Sequence, residues 1–292
     1  MAQVKVVLGT VLILFLLILS RNKNNKTMNR VNGKTKIFGV IADPIEHVKA
    51  PSIYNNKWIN ENKNYLMIPV HVQRENLSRV IRSFKSIPNF YGFCVTIPHK
   101  VEVAKLCDIL NPNAQMIGAV NVAYFNKKRE LIGDNFDGEG FVAGLNAKGH
   151  SVKNKNIFIY GAGGAARSIS FALAKNNVAS LTLSNRTLKK AKDLSSLIQK
   201  WYPNLSIKLS DDITKCDILI NTSSLGLNEN DKIAIEIKNA SRNTLIADII
   251  MQPEITKLLK EAKLLKLEIH LGKHMLDYQA DLMENILTKQ IL

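Results

Sequence analysis

From residue 36 onward the chain alternates between short apolar runs and stretches with helical spacing. Lys36–Ile41 (KIFGVI), Tyr65–Val72 and Gly92–Ile97 read as strands. Residues 51–62, 77–84 and 101–109 carry the apolar spacing of helices, the last stopped by Asn111-Pro112. Val120–Tyr124 and Glu130–Ile132 flank a Lys-Lys turn and predict a hairpin. The first half is therefore expected to be an α/β unit.

In the second half the pattern predicts a helix over 137–147, a buried strand over 156–160, and helices over 168–174 and 188–200 around a strand at 181–183. Strands follow at 205–209, 217–221, 244–248 and 268–271, with a helix over 255–264 between the last two and a closing helix over 276–287. Strands alternating with helices predict a parallel doubly wound sheet.

The first 27 residues differ. Val6–Leu19 is an apolar run of 14 residues, flanked by the basic Arg21, Lys23 and Lys26. As a helix it would span roughly 21 Å, short of the ~30 Å hydrocarbon core. No A-x-A cleavage site follows it. An uncleaved anchor, a degenerate signal and a misplaced start upstream of Met28 all stay open, the last being preferred. Membrane association is expected only if this segment is a real anchor; otherwise a cytoplasmic protein is expected.

Composition narrows the function classes. At 292 residues, 46% hydrophobic and 22% charged, the chain is neither disordered nor a polytopic membrane protein. Its net charge of +16 first suggests a polyanion partner. The cations are mostly Lys, however, and they are scattered, and aromatic residues are only 7% of the chain. A solvated basic surface is expected, with no nucleic-acid partner. Cys94, Cys107 and Cys216 form no CxxC and the six His form no HExxH, so neither a disulfide framework nor a metal site is expected.

Three segments carry chemistry. Gly161-Ala162-Gly163-Gly164-Ala165-Ala166 is GxGxxA between a predicted strand and a predicted helix. There Gly permits a tight turn and close approach of a pyrophosphate, and the helix N-terminus favours an anion. The next strand ends in Asn185-Arg186-Thr187, with Lys189 and Lys190 beyond and no carboxylate to take a ribose 2′-hydroxyl. The planar guanidinium of Arg186 suits a 2′-phosphate, so NADP is the expected cofactor. Lys100, just beyond a strand, and Asp137, opening a helix, each have a bland reading alone: a surface cation and a first-turn carboxylate.

Together these segments resemble the shikimate/quinate dehydrogenase family, in order, from about Lys36 to the end. The resemblance rests on Gly39–His47 (G-x-x-x-x-P-I-x-H), Val95–Lys100 (V-T-x-P-x-K), Gly118–Asn121 (G-A-V-N) and Gly133–Gly138 (G-D-N-x-D-G). It continues through Gly161–Arg167, Asn185–Thr187, Asn221–Leu227 and Gly272–Gln279 (G-x-x-M-L-x-x-Q). It implies an N-terminal substrate domain (34–128), a Rossmann-type NADP-binding domain (129–274), and residues 275–292 packing back on the first.

The resemblance further implies that Lys100 and Asp137 form the catalytic pair. Thr96, Asn121, Asn135 and Gln279 would hold the substrate. Gly161, Ala162, Gly163, Gly164, Ala165, Asn185, Arg186, Thr187, Lys190, Ile249 and Gly272 would hold the cofactor. The implied reaction is the reversible, NADP-dependent reduction of 3-dehydroshikimate to shikimate, in the pathway to chorismate and the aromatic amino acids. Quinate or a related cyclic polyol, or an NADP-binding sensor without turnover, are the alternatives. The implied partner is a small cyclic hydroxy acid, and the expected assembly a monomer or homodimer.

Departures from the family pattern concentrate on the substrate side. The family's H-S-x-S-P holds the substrate carboxylate through two Ser hydroxyls, where this chain has His47-Val48-Lys49-Ala50-Pro51. Cys94, Phe136 and Met251 also replace common Asn, Thr and Tyr. A carboxylate would then fall to Lys49 or Tyr54, or be missing from the substrate.

Overall fold

The computed structural model describes residues 31–289, which form two six-stranded sheets. The first contains β1 (Lys36–Ala42), β2 (Tyr65–His71), β3 (Phe90–Val95), β4 (Ile109–Leu110), β5 (Val122–Phe125) and β6 (Leu131–Asp134), in the order β2-β1-β3-β5-β6-β4. β1 lies parallel to both β2 and β3, with Val40 opposite Pro69 and Cys94. Parallel neighbours require crossovers, supplied by α1 (Ala50–Asn60) and α2 (Leu77–Lys85). Both faces are therefore covered, and Phe38–Ala42 is buried without alternation. Phe38, Val40 and Cys94 pack with Tyr54 and Trp58 of α1 on one face. Ile41, Phe93 and Val95 pack with Leu77, Ile81 and Phe84 of α2 on the other.

Several local expectations change. The helix expected over 101–109 is α3 (Lys100–Leu106), and Ile109–Leu110 is instead the edge strand β4. Asn111-Pro112 does not merely stop a helix; Pro112 opens α4 (Pro112–Ile117), because proline's missing N–H costs nothing in a first helical turn. The hairpin strands β5 and β6 are antiparallel to each other and join the first sheet, which is therefore mixed. Leu131–Asp134 thus belongs to the first sheet, although residues from 129 onward were expected in the second domain.

After α5 (Asp137–Ala147) come β7 (Asn156–Tyr160), α6 (Gly164–Lys175), β8 (Ser180–Ser184), α7 (Leu188–Trp201) and β9 (Ser206–Leu209). Then follow β10 (Ile218–Asn221), β11 (Leu245–Asp248), α8 (Lys257–Leu264) and β12 (Ile269–His270). These six strands are all parallel, in the order β12-β11-β10-β7-β8-β9. The chain builds outward from β7 through β9, then returns to the other side of β7. The strand order reverses between β7 and β10, and a crevice opens beyond their carboxyl ends. α6 begins at Gly164, not at the expected Ser168, so its first turn lies inside the glycine loop.

α9 (Lys273–Thr288) leaves the second sheet and packs on α5, β3 and β5. Met283 and Leu287 join the first sheet's core, and the buried Trp58 indole Nε1 donates to Glu284 Oε1 at 2.8 Å. Lys57 and Lys63 close ion pairs with the same carboxylate at 2.6 and 3.0 Å. Among the described residues no helix is long and apolar enough to cross a membrane. The apolar segment within residues 1–27 lies outside the described residues.

Candidate active site

A cleft lies where the carboxyl ends of strands from both sheets meet. Thr96 and Ile97 follow β3, Gly163–Ala165 follow β7, Thr222–Ser224 follow β10 and Ile249 follows β11; all line it. α9 closes one wall with Met275, Leu276, Gln279 and Met283.

At its base Lys100 forms an ion pair with Asp137 Oδ2. Lys100 is 8% exposed and Asp137 1%, so the two charges neutralise each other largely out of water. Each residue opens a helix, α3 and α5 respectively. That end of a helix favours the carboxylate and disfavours the ammonium, so Lys100 depends on Asp137 as its counter-charge. Asn121 Nδ2 donates to the remaining oxygen, Asp137 Oδ1, at 2.8 Å, and Asn121 Oδ1 accepts from Phe136 N–H at 3.1 Å. The Asn121 carbonyl also accepts from Val95 N–H at 2.7 Å, tying the pair to β3.

Thr96, Lys100, Asn121, Asp137, Gln279 and Lys49 of the expected substrate-side set all line the cleft. Asn135 does not. Its Oδ1 accepts from Asp137 N–H at 3.1 Å and Ser168 Oγ–H at 2.7 Å, while its Nδ2 donates to the Ala119 carbonyl at 3.0 Å. Fully buried, it fastens the first turn of α5 to α6 and has no face for a substrate. Tyr54 is likewise absent from the lining, because its hydroxyl donates to the Ala280 carbonyl at 3.0 Å under α9. Lys49 is exposed, so its flexible ammonium keeps access to water.

On the cofactor side Gly163, Gly164, Ala165 and Ile249 line the cleft. A Cβ on Gly163 would meet nothing within 4 Å, whereas one on Gly164 would come within 2.7 Å of Lys100 Cβ. The backbone at Gly163 is thus open to a close ligand, and α6 has no side-chain N-cap occupying its first N–H groups. Gly161 supports from behind. Its φ is +118° and a Cβ would lie 2.4 Å from Thr222 Oγ1, so only glycine lets β7 turn there. Gly161 and Ala162 stand outside the lining, as does Gly272, where a Cβ would strike the Ile250 carbonyl at 2.4 Å. Asn185 Nδ2 donates to the Thr187 carbonyl at 2.9 Å, holding the turn after β8 on which Arg186 and Thr187 are exposed, and Lys190 is exposed in the first turn of α7. An uncapped helix N-terminus, an open glycine and an exposed guanidinium one strand away fit a dinucleotide carrying an extra phosphate.

Sequence reasoning missed His47, Ser223, Met275 and Met283, all of which line the cleft. His47 and Met275 lie within motifs already noted, beside residues assigned a role, and that adjacency was the available signal. Asn221, opening another such motif, is structural: its Nδ2 donates to both oxygens of buried Asp248 at 3.2 Å. Burial raises the Asp248 carboxyl to about 6, against the hydrogen bonds from Ile250, Thr256 and Asn221. Cys94 is also in the lining, but burial pushes its thiol up to about 12, so it stays protonated and unreactive.

A parallel sheet with a glycine turn at its switch point, facing a buried Lys–Asp pair on a second domain, defines a dinucleotide-dependent dehydrogenase. Comparison with known proteins narrows the class. Residues 40–123 match the shikimate dehydrogenase substrate binding domain, and residues 145–268 match the shikimate / quinate 5-dehydrogenase domain. A shikimate dehydrogenase (NADP(+)) of Methanococcus vannielii is 41% identical over 260 residues, covering 85% of this chain and 90% of that one. A crystal structure of a shikimate dehydrogenase in complex with NADP+ superposes with a TM-score of 0.81 at 36% identity, over 89% of this chain and 92% of that one. The ligand-free 5-ketofructose reductase of a Gluconobacter strain superposes with a TM-score of 0.74 at 30% identity, over 88% and 94%. The chain belongs to the shikimate/quinate dehydrogenase family.

Proposed function

We propose that the chain is an NADP-dependent shikimate dehydrogenase that interconverts 3-dehydroshikimate and shikimate in the cytoplasm, with a small cyclic hydroxy acid as its partner. The observation that carries this reading is the buried Lys100–Asp137 pair set against the Gly163–Ala165 turn in one cleft.

Held by the Gly163–Ala165 turn and Arg186, NADPH would supply a hydride for the carbonyl carbon. The carbonyl oxygen then needs a proton, and the Lys100 ammonium stands ready to donate it. Asp137 holds that ammonium in place and stabilises its charge, while Asn121 fixes the second carboxylate oxygen so that the carboxylate cannot rotate away. Thr96 and Gln279, both in the lining, offer hydrogen bonds to the ring hydroxyls. The apolar side chains of Met275, Leu276 and Met283 exclude water, which strengthens every charge interaction inside. In the oxidative direction the same pair receives the hydroxyl proton. The exposed Arg186 favours the 2′-phosphate and hence NADP over NAD.

A second reading has its own observation. Val48 and Ala50 line the cleft where hydroxyls would hold a carboxylate, with the exposed Lys49 between them in sequence. A neutral ketose or polyol would fit this wall, as the name of the Gluconobacter relative suggests. The test is turnover by the purified protein of shikimate, quinate and fructose with NADP and with NAD, followed by the absorbance of the reduced cofactor. Oxidation of shikimate with NADP supports the first reading. Oxidation of fructose alone moves the assignment to the second.

A further inference from the structure

His47 sits in the loop between β1 and α1, a loop held by a turn from Val48 N–H to the Ile45 carbonyl at 3.2 Å. The residue lines the cleft, whose lining also includes the apolar Val40 and Val48. Both ring nitrogens are shielded from water, yet neither has a hydrogen-bond partner among the described residues. Buried polar atoms without a partner are uncommon and unfavourable, and those that persist call for a reason. The buried His99 leaves only its Nδ1 without a partner, because its Nε2 pairs with the Val72 carbonyl at 2.6 Å. His270, the other ring with two unpaired nitrogens, lies edge-on to Phe141 and beside His150 and His274, away from the cleft.

The chemistry of the ring says what would satisfy it. Burial lowers the His47 pKa below the usual imidazole value, against the pull of Glu46, so the ring is neutral near pH 7. A neutral imidazole has one donor and one acceptor. A carboxylate, which only accepts, would leave one nitrogen unpaired. A hydroxyl both donates and accepts, and a pair of neighbouring hydroxyls would engage both nitrogens. Gln279, which lines the same cleft, repeats the signal: it is 5% exposed, and its Oε1 acceptor is buried without a partner. One cleft thus holds two residues with unpaired groups that a polyhydroxylated ring would complete.

The geometry points to His47 as a substrate-binding, specificity-determining side chain that hydrogen-bonds a hydroxyl of the substrate, on the wall where positions 48 and 50 offer none. This rests on the dehydrogenase reading above, and it holds for shikimate and for a neutral polyol, since both carry hydroxyls.

The experiment is steady-state kinetics of the full chain and of His47→Ala, His47→Leu and His47→Gln, using whichever of shikimate, quinate and fructose the wild type oxidises. His47→Ala is expected to raise KM for that substrate roughly five- to tenfold, the cost of a neutral hydrogen bond. The kcat and the KM for NADP should stay within about twofold of wild type. His47→Leu, which fills the volume without hydrogen bonding, should match Ala, and His47→Gln, which keeps a donor and an acceptor, should recover most of the loss. An unchanged KM in both Ala and Leu overturns the proposal, as does a failure of Gln to rescue, which would mark a packing role. A wild type that binds NADP but oxidises none of the three compounds instead overturns the underlying reading.

Discussion

Lys100 and Asp137 open two different helices, α3 and α5, and meet in a buried ion pair whose carboxylate has its second oxygen held by Asn121. If Lys100 delivers the proton, Lys100→Met should lower kcat by about 10²- to 10⁴-fold. NADP affinity, measured by fluorescence titration, should change little, because the glycine turn is untouched. Asn121→Ala should cost less, as it frees the carboxylate without removing it. Turnover within a few-fold of wild type in Lys100→Met would rule out its role as acid and base.

Cofactor choice should turn on Arg186. Arg186→Ala is expected to raise KM for NADP by about 10-fold or more, in line with a hydrogen-bonded charge contact, and to leave KM for NAD nearly unchanged. A parallel rise for both cofactors would place the guanidinium elsewhere than at the 2′-phosphate.

The wall beside His47 can be given back its hydroxyls. In the double variant V48S/A50S the KM for shikimate should fall by at least about tenfold, since hydrogen bonds to a charged group are the stronger kind. The KM for fructose, tested in parallel, should not fall. A variant equally poor on shikimate would mean that this wall does not face the carboxylate.

Acid should destabilise the protein through His270. It is 1% exposed, and burial, followed by the charges of His274, His150 and Lys148, lowers its pKa to about 4. Between ~6.5 and ~4 the unfolded chain therefore binds more protons than the folded one, so stability falls as pH drops through that window and loses nothing further from this group below it. The ceiling on the effect is about 3 kcal/mol. His270→Leu should flatten this part of the curve of urea midpoint against pH. An unchanged slope would assign the acid sensitivity to other groups.

The clasp between α1 and α9 offers a stability test away from the chemistry. Glu284→Ala strands the buried Trp58 N–H and removes a shared partner of Lys57 and Lys63. A loss of about 1–3 kcal/mol is expected, read as a thermal midpoint lower by several degrees. Lys57 and Lys63 retain Asp281 and Glu61, so the loss should come chiefly from the indole.

The sequence showed the alternation of strands and helices clearly, because parallel strands such as Ile157–Ile159 are apolar throughout and their helices are amphipathic. It also revealed Gly161–Ala166, whose meaning depends only on near neighbours in the chain. It was less informative where pairing is distant. Ile109–Leu110 is too short for periodicity to separate a helix end from a strand, and only its pairing with Ile132 and Gly133 decides. Asn135 and Tyr54 looked like ligands because polar residues near a motif invite that reading. Their partners, Ser168 and the Ala280 carbonyl, lie 33 and 226 residues away. His47 escaped notice for the converse reason, since a lack of partners is visible only in three dimensions.

The contact between Gly164 and Lys100 has a consequence for modularity. Lys100 falls in one family domain and Gly164 in the other, and they touch only because residue 164 lacks a side chain. The two halves are therefore not exchangeable parts. A foreign nucleotide domain carrying even alanine at this position would have to displace Lys100 from Asp137 or hold the domains apart, and a chimera would then bind its cofactor yet fail to turn over.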